Sequence, residues 1–141
     1  MLRVVIDTSV VTSAFRSRRG AANALLLAIA DGAIQVLATP ALFLEYEDVL
    51  KRSEQREVSG LSLADVDQIL SDIAALIEPV QVHVSWRPQL RDPNDEMVLE
   101  AAVNGRANVL VTHNIRNFAG MEDRFGIRVL TPGRVLEELR S

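Results

Sequence analysis

Carboxylates occur at three points of this sequence where their surroundings favour chemistry. Asp7 follows a short β-branched run, Glu45 lies within an amphipathic stretch, and Asp92 and Asp95 open a third segment. Asp7 stands where a buried strand should end, and in open parallel α/β sheets ligands bind beyond the carboxyl ends of the strands. The alternative for Asp7 is a turn residue or a cap for the next helix.

The other acids also have purely structural explanations. Asp92 followed by Pro93 is a good helix start, with Asp92 as the cap and proline at the first helical position. Asp95 is explained less well, because apolar residues flank the side from which it projects and carboxylates are rarely buried unpaired. Glu45 lies at the border of an apolar stripe, where an ordinary surface role stays open.

The ligands available for a metal ion are oxygen atoms. The sequence has no cysteine, and its two histidines, His83 and His113, are far apart. A thiolate or histidine zinc site is therefore not expected. Carboxylates without His or Cys select a hard ion, Mg²⁺ or Mn²⁺. Such an ion bridges to phosphate oxygens, which implies hydrolysis of a phosphodiester by a metal-activated water.

Other phosphate chemistries fit the residues less well. The sequence contains no Gly-x-x-x-x-Gly-Lys, which excludes a P-loop. A receiver domain needs an acidic pair after its first strand and a later lysine, whereas Lys51 is the last lysine here. A haloacid-dehalogenase-like phosphatase needs Asp-x-Asp, and Ser9 occupies the second position.

Composition limits the class of protein. A chain of 141 residues is expected to form one domain, over residues 1–141. The net charge of −4 argues against a globally basic nucleic-acid binder. Local arginines in predicted loops, among them Arg16, Arg87 and Arg116, are candidates for phosphate contacts because the guanidinium fork suits them. No membrane-length apolar run is present, so a soluble, cytoplasmic protein is expected.

Hydrophobic periodicity predicts alternating strands and helices. The predicted strands cover residues 2–6, 34–38, 109–112 and 127–130, with a weaker candidate at 80–84. The predicted helices cover residues 21–30, 40–52, 63–77, 93–104 and 118–125 and the segment after 132. Residues 53–60 are predicted to be the most flexible internal connection. The alternation indicates an α/β domain with a central, mostly parallel sheet flanked by helices in three layers.

Four stretches in order resemble a PIN domain, and more specifically the toxin components of bacterial toxin–antitoxin pairs. They are Val4-Val5-Ile6-Asp7-Thr8-Ser9-Val10, Leu44-Glu45-Tyr46-Glu47-Asp48-Val49-Leu50, the segment from Asp92-Pro93-Asn94-Asp95 to Ala102, and Val111-Thr112-His113-Asn114. The end of the chain, Val129-Leu130-Thr131-Pro132 before a helix, is also similar to the family.

The resemblance implies a PIN-like fold and a metal-dependent ribonuclease. Asp7, Glu45 and Asp95 match the three principal acids of the family, which hold Mg²⁺ or Mn²⁺, and Asp92 matches an extra acid. Thr8 and Thr112 match hydroxyl groups beside the cluster that are expected to help bind substrate. The implied partners are an RNA substrate, an antitoxin protein and a second copy in a homodimer.

The sequence departs from the family pattern at Asn114, where many members have a fourth catalytic aspartate. Asn117 likewise stands where some members have an acid. An amide oxygen can ligate a metal or orient water, but it carries no charge and is not a base at neutral pH. The alternative is therefore a catalytically weak PIN fold that serves as an RNA-binding or antitoxin-binding module.

Overall fold

The computed structural model describes residues 1–84 and 90–140 and contains a parallel sheet flanked by helices. Its strands are β1 (Leu2–Ile6), β2 (Ile34–Ala38), β3 (Ile77–Pro79), β4 (Val109–Val111) and β5 (Arg128–Leu130). They lie in the order β3-β2-β1-β4-β5, and every neighbouring pair is parallel. The predicted α/β class and parallel sheet are confirmed.

Eight α-helices connect or follow these strands in the described part of the chain. They are α1 (Thr8–Arg16), α2 (Ala21–Ala30), α3 (Pro40–Lys51), α4 (Ser53–Ser59), α5 (Leu63–Leu76), α6 (Pro93–Asn104), α7 (Met121–Phe125) and α8 (Pro132–Arg140). A 3₁₀ turn covers Ile115–Phe118. None of these helices has the length and apolar character needed to cross a membrane.

The central strand β1 and its neighbour β4 lie in the middle of the hydrophobic core. Val4 and Val5 of β1 and all three residues of β4 are fully buried. Continuous apolar strands of this kind are typical of a parallel sheet covered on both faces. Because β1 and β4 are neighbours and run in the same direction, with Ile6 opposite Val111, their carboxyl ends meet at one edge.

Three predicted helix starts, capped by Thr39, Ser62 and Asp92, are confirmed. The Thr39 side chain accepts a hydrogen bond from the Leu42 N–H at 3.1 Å, with Pro40 at the first helical position. Ser62 and Asp65 form a capping box, and the Asp92 side chain accepts from the Asn94 N–H at 2.9 Å. Such caps satisfy N–H groups that the helix itself leaves without partners.

Two predictions about local structure were wrong, and one helix was not predicted. Residues 53–59, predicted as a flexible connection, form α4, and residues 8–16, to which no element was assigned, form α1. The strand expected at 80–84 lies earlier, at Ile77–Pro79, because the N–H groups of His83 and Val84 bond to the Asn104 side chain instead of a strand.

Smaller differences concern element ends and arginines. The 63–77 helix ends at Leu76, and the helix expected at 118–125 is a 3₁₀ turn followed by α7. Arg16 lies in the last turn of α1 and Arg116 in the 3₁₀ turn, not in loops. Arg87 lies outside the described residues.

Gly105 ends α6 at a close approach between the helix and the sheet. A Cβ built there would lie 2.9 Å from the Ala101 carbonyl oxygen, 2.9 Å from Val80 Cγ2 and 3.1 Å from Leu37 Cδ1. We expect Gly105→Ala to destabilise the protein by about 1–3 kcal/mol through overpacking. Thermal unfolding followed by circular dichroism measures this effect.

Gly133→Ala is the matched control, because Gly133 lies in α8 and an added Cβ there meets no atom within 4 Å. This control should leave the melting temperature unchanged or raise it slightly, since alanine has the higher helix propensity. Equal melting temperatures for both variants would contradict the close packing at Gly105.

Candidate functional site

Asp7 occupies the position just beyond β1, at the edge where the strands end. Its N–H donates to the Val111 carbonyl at 2.9 Å, so the sheet pairing extends one residue past the strand. Its side chain is only 4% exposed. Oδ2 accepts hydrogen bonds from Ser9 Oγ at 2.9 Å and Thr112 Oγ1 at 2.7 Å, whereas Oδ1 has, among the described residues, only a 3.4 Å contact with Thr8 Oγ1. One oxygen is thus anchored, and the other is left for a ligand.

The end of β4 is tied to the same carboxylate. Thr112 is fully buried, and its hydroxyl oxygen accepts from the Asn114 N–H at 2.9 Å while it donates to Asp7. The sequence of bonds from Asn114 through Thr112 to Asp7 fixes the backbone of Asn114 relative to the carboxylate. Thr112 therefore holds Asp7 and Asn114 in position from the buried side of the site.

Asp95 is the second buried carboxylate, in the first turn of α6 and 8% exposed. Burial, and then the negative charges of Asp7 and Asp92, raise its pKa to about 6, while hydrogen bonding to the Asn117 side chain opposes the shift. Among the described residues, none of the ion pairs includes Asp7, Asp92 or Asp95. In the described part of the chain, the negative charges of the site therefore repel one another and form no ion pair with a cationic side chain.

Two adjoining clefts open around these acids. The first cleft, of about 370 Å³, is lined by Asp7, Asp95 and residues of α1 and α4 that include Arg16. The second cleft, of about 420 Å³, contains Arg91 and Arg116. Asp92, Asp95 and Asn117 line both clefts. The carboxylates therefore lie between two groups of arginines.

The structure brings most of the predicted site residues together. Those that line the first cleft are Asp7, Thr8, Arg16, Asp92, Asp95 and Asn114, and Arg116 lines the second. Glu45 lines neither cleft. It lies on α3 one helical turn before Val49, which does line the first cleft, and its charge acts on Arg52. Glu45 is thus at the margin of the site.

Two residues of the site, Ser9 and Gln55, were given no role from the sequence, and Asn117 was noted only as a departure from the family pattern. Ser9 bonds to Asp7, and its position two residues later is a signal that could have been used. Asn117 contacts Asp95 from the 3₁₀ turn, one residue before the buried Phe118. Gln55 is 3% exposed and lines the first cleft, but it lies in a polar stretch with no apolar periodicity that would mark it.

The donor set fits a hard divalent cation. Within residues 1–84 and 90–140, no three His, Cys, Asp or Glu side chains already have the geometry of a metal site. Mg²⁺, however, keeps several waters and is bound through one or two carboxylates. Asp7 and Asp95 could supply those two, and a cation between them would offset the repulsion that, after burial, raises the Asp95 pKa.

Asp95→Asn should stabilise the metal-free protein, because the charged carboxylate is disfavoured in the folded state. A pKa raised from 3.8 to about 6 means that this charge opposes folding above pH 6. The gain at pH 7 should be about 1–3 kcal/mol, and it should shrink as the pH falls towards 4, where the carboxyl group is protonated in the fold. Thermal melts in chelator at both pH values measure the gain.

The matched control for this prediction is Asp31→Asn, an exposed aspartate at the end of α2. It should change stability by no more than about 0.5 kcal/mol. A melting temperature of Asp95→Asn at or below that of the wild type at pH 7 would show that the charge of Asp95 does not destabilise the folded protein.

Comparisons with known proteins agree with this fold. A family model of the PIN domain matches residues 3–116. No curated protein sequence matches the chain significantly. One similar solved structure is a chain from the crystal structure of VapBC2 from Rickettsia felis bound to a DNA fragment from their promoter, with a TM-score of 0.60 and 14% identity, covering 92% of this chain and 98% of that chain. The family match spans most of the sequence, and the chain is a member of the PIN-domain family.

Proposed function

We propose that this protein is a metal-dependent endoribonuclease, the toxin of a toxin–antitoxin pair, that hydrolyses phosphodiester bonds of RNA. The observation that supports this most directly is the group of Asp7, Asp92 and Asp95, which has no cationic side chain paired to it among the described residues. Membership of the PIN family, whose domains are generally nucleases, agrees with this chemistry.

The carboxylates have distinct roles in the proposal. Asp7, through its open Oδ1, and Asp95 would hold Mg²⁺ or Mn²⁺, with Asp92 contributing from the lining shared by the two clefts and Glu45 from the margin. When bound, the ion would polarise the scissile phosphate and lower the pKa of the attacking water. Asn114 lines the cleft and orients water through its amide, which accepts and donates hydrogen bonds without acting as a base.

Arginines in both clefts would bind the phosphates of the proposed RNA substrate. An RNA strand bound across the carboxylates would contact Arg16 in the first cleft and Arg116 in the second. Thr8, whose hydroxyl lies at the open oxygen of Asp7, is placed to contact the phosphate that is cut. In this arrangement the RNA strand extends on both sides of the phosphate that is cut. Cleavage within the RNA is therefore favoured over removal of its terminal nucleotides.

The proposed biological setting is the cytoplasm, with an antitoxin as protein partner and a homodimer as the assembly. The motif resemblance to toxin components supports this, as does the fold shared with a chain of VapBC2. We expect gel filtration with light scattering at micromolar concentration to give twice the mass of the 15.5 kDa chain. A strictly monomeric protein would contradict the dimer.

Asp7→Asn should abolish metal-dependent RNA cleavage, with a loss of about 100-fold or more, because it removes the anchored carboxylate of the proposed metal site. Calorimetric titration with Mn²⁺ should show binding to the wild type that Asp7→Asn and Asp95→Asn remove. Glu45→Gln should weaken Mn²⁺ binding less, since Glu45 lines neither cleft.

Asp31→Asn serves as the control for charge and should keep full cleavage and Mn²⁺ binding. Cleavage retained by Asp7→Asn would overturn the assignment of this carboxylate. A wild type that binds RNA without cleaving it in Mg²⁺ or Mn²⁺ would favour the binding-module alternative, to which the amide at Asn114 points.

A further inference from the structure

Gln55 is an unusual residue to find buried at the contact between α1 and α4. It is the buried residue of α4, with 3% of its surface exposed. An apolar side chain could fill this position, and a buried amide left without partners would cost about 1–3 kcal/mol. A polar side chain here therefore calls for an explanation beyond packing.

Both ends of the Gln55 amide are bonded to α1. Nε2 donates to the Thr12 carbonyl at 3.0 Å, and Oε1 accepts from Arg16 Nε at 2.6 Å. The first bond fixes the amide, and the second fixes the guanidinium group of Arg16. The Arg16 side chain is thus held through Nε, while its outer edge, Nη1 and Nη2, makes no ion pair with the described residues.

The surroundings of Arg16 favour a phosphate as its ligand. Arg16, Gln55 and Asp7 line the same cleft. Arg52 lines it too, but it is paired with Asp48 at 2.6 Å. The two outer nitrogens of a guanidinium form a planar fork that matches two phosphate oxygens.

We propose that Gln55 is a positioning residue, which holds the Arg16 guanidinium in the first cleft so that Arg16 binds a backbone phosphate of a single RNA strand beside the phosphate that is cut. This inference rests on the proposed ribonuclease function. It assigns one subsite of the strand, on the α1 and α4 side of the carboxylates, and it explains why α4 presents an amide to the core.

The test measures RNA binding separately from cleavage. Full-length Asp7→Asn protein with Mg²⁺ is titrated into a fluorescein-labelled oligouridylate, and binding is followed by fluorescence anisotropy. Arg16→Met and Gln55→Met, added singly, should each weaken binding about five- to tenfold. Each should also reduce the slope of log K against log salt concentration by about 0.7, the value for one single-strand phosphate contact.

A double-mutant cycle separates positioning from a purely structural role. If Gln55 acts through Arg16, adding Gln55→Met to Arg16→Met should change binding less than twofold. An equal loss from Gln55→Met in both backgrounds, or none in either, would overturn the proposal. Arg19→Met is the matched control, because it removes the same charge from an exposed residue that lines neither cleft, and it should change binding less than twofold.

Arg16→Lys tests the geometry even if Gln55→Met does not fold. Lysine keeps the charge but lacks the planar fork, so it should lose most of the affinity that Arg16→Met loses. Full affinity in Arg16→Lys would show that charge alone suffices, and positioning by Gln55 would be rejected. When Asp7 is intact and the protein cleaves RNA, Gln55→Met should raise KM and change kcat less than twofold. This pattern is expected when a contact stabilises the bound substrate and the transition state equally.

The outcomes separate this inference from the nuclease proposal. RNA binding that depends on Arg16 and Gln55 in a wild type that does not cleave would overturn the nuclease alone. If Asp7→Asn abolishes cleavage but Gln55→Met leaves RNA binding unchanged, the positioning role alone would be overturned.

Discussion

The hydrogen bond from Thr112 to Asp7 connects the ends of the neighbouring strands β1 and β4, and the candidate site depends on it. A parallel sheet leaves the carboxyl ends of neighbouring strands side by side, but it does not orient the side chains that follow them. Thr112 and Ser9 fix one oxygen of Asp7, and the buried Tyr46 hydroxyl donates to the carbonyl of Ile6 just before it. The carboxylate is therefore in place before any ligand arrives.

This anchoring keeps two carboxylates near each other at a cost to folding. The backbone of Asp95 is held in the first turn of α6, which Asp92 caps and Pro93 opens. Its pKa rises because burial and the charges of Asp7 and Asp92 disfavour the ionised form. Strain of this kind is typical of sites built for a ligand, and a divalent cation is the ligand that would relieve it.

Sequence patterns predicted the parts of the molecule in which local chemistry and burial agree. The apolar runs of β1 and β2, the cap at Thr39 and the capping box at Ser62 required no tertiary information. Helix α4 could not be predicted, because its seven residues have no apolar face and its buried contact is the amide of Gln55 bonded to α1. The strand predicted at 80–84 failed for a related reason, since the Asn104 side chain accepts the N–H groups of His83 and Val84.

The distribution of ion pairs explains how a protein with a net charge of −4 could bind a polyanion. Several cations are neutralised locally, as Arg3 is by Glu78 and Arg128 is by Glu138. Among the described residues, no such pair involves Arg16 or Arg116, and these two line the clefts on either side of the acids. Two of the arginines outside these ion pairs therefore lie where an RNA strand would pass. At short range this local arrangement outweighs net charge, because exposed charges are screened beyond about 8 Å at physiological salt.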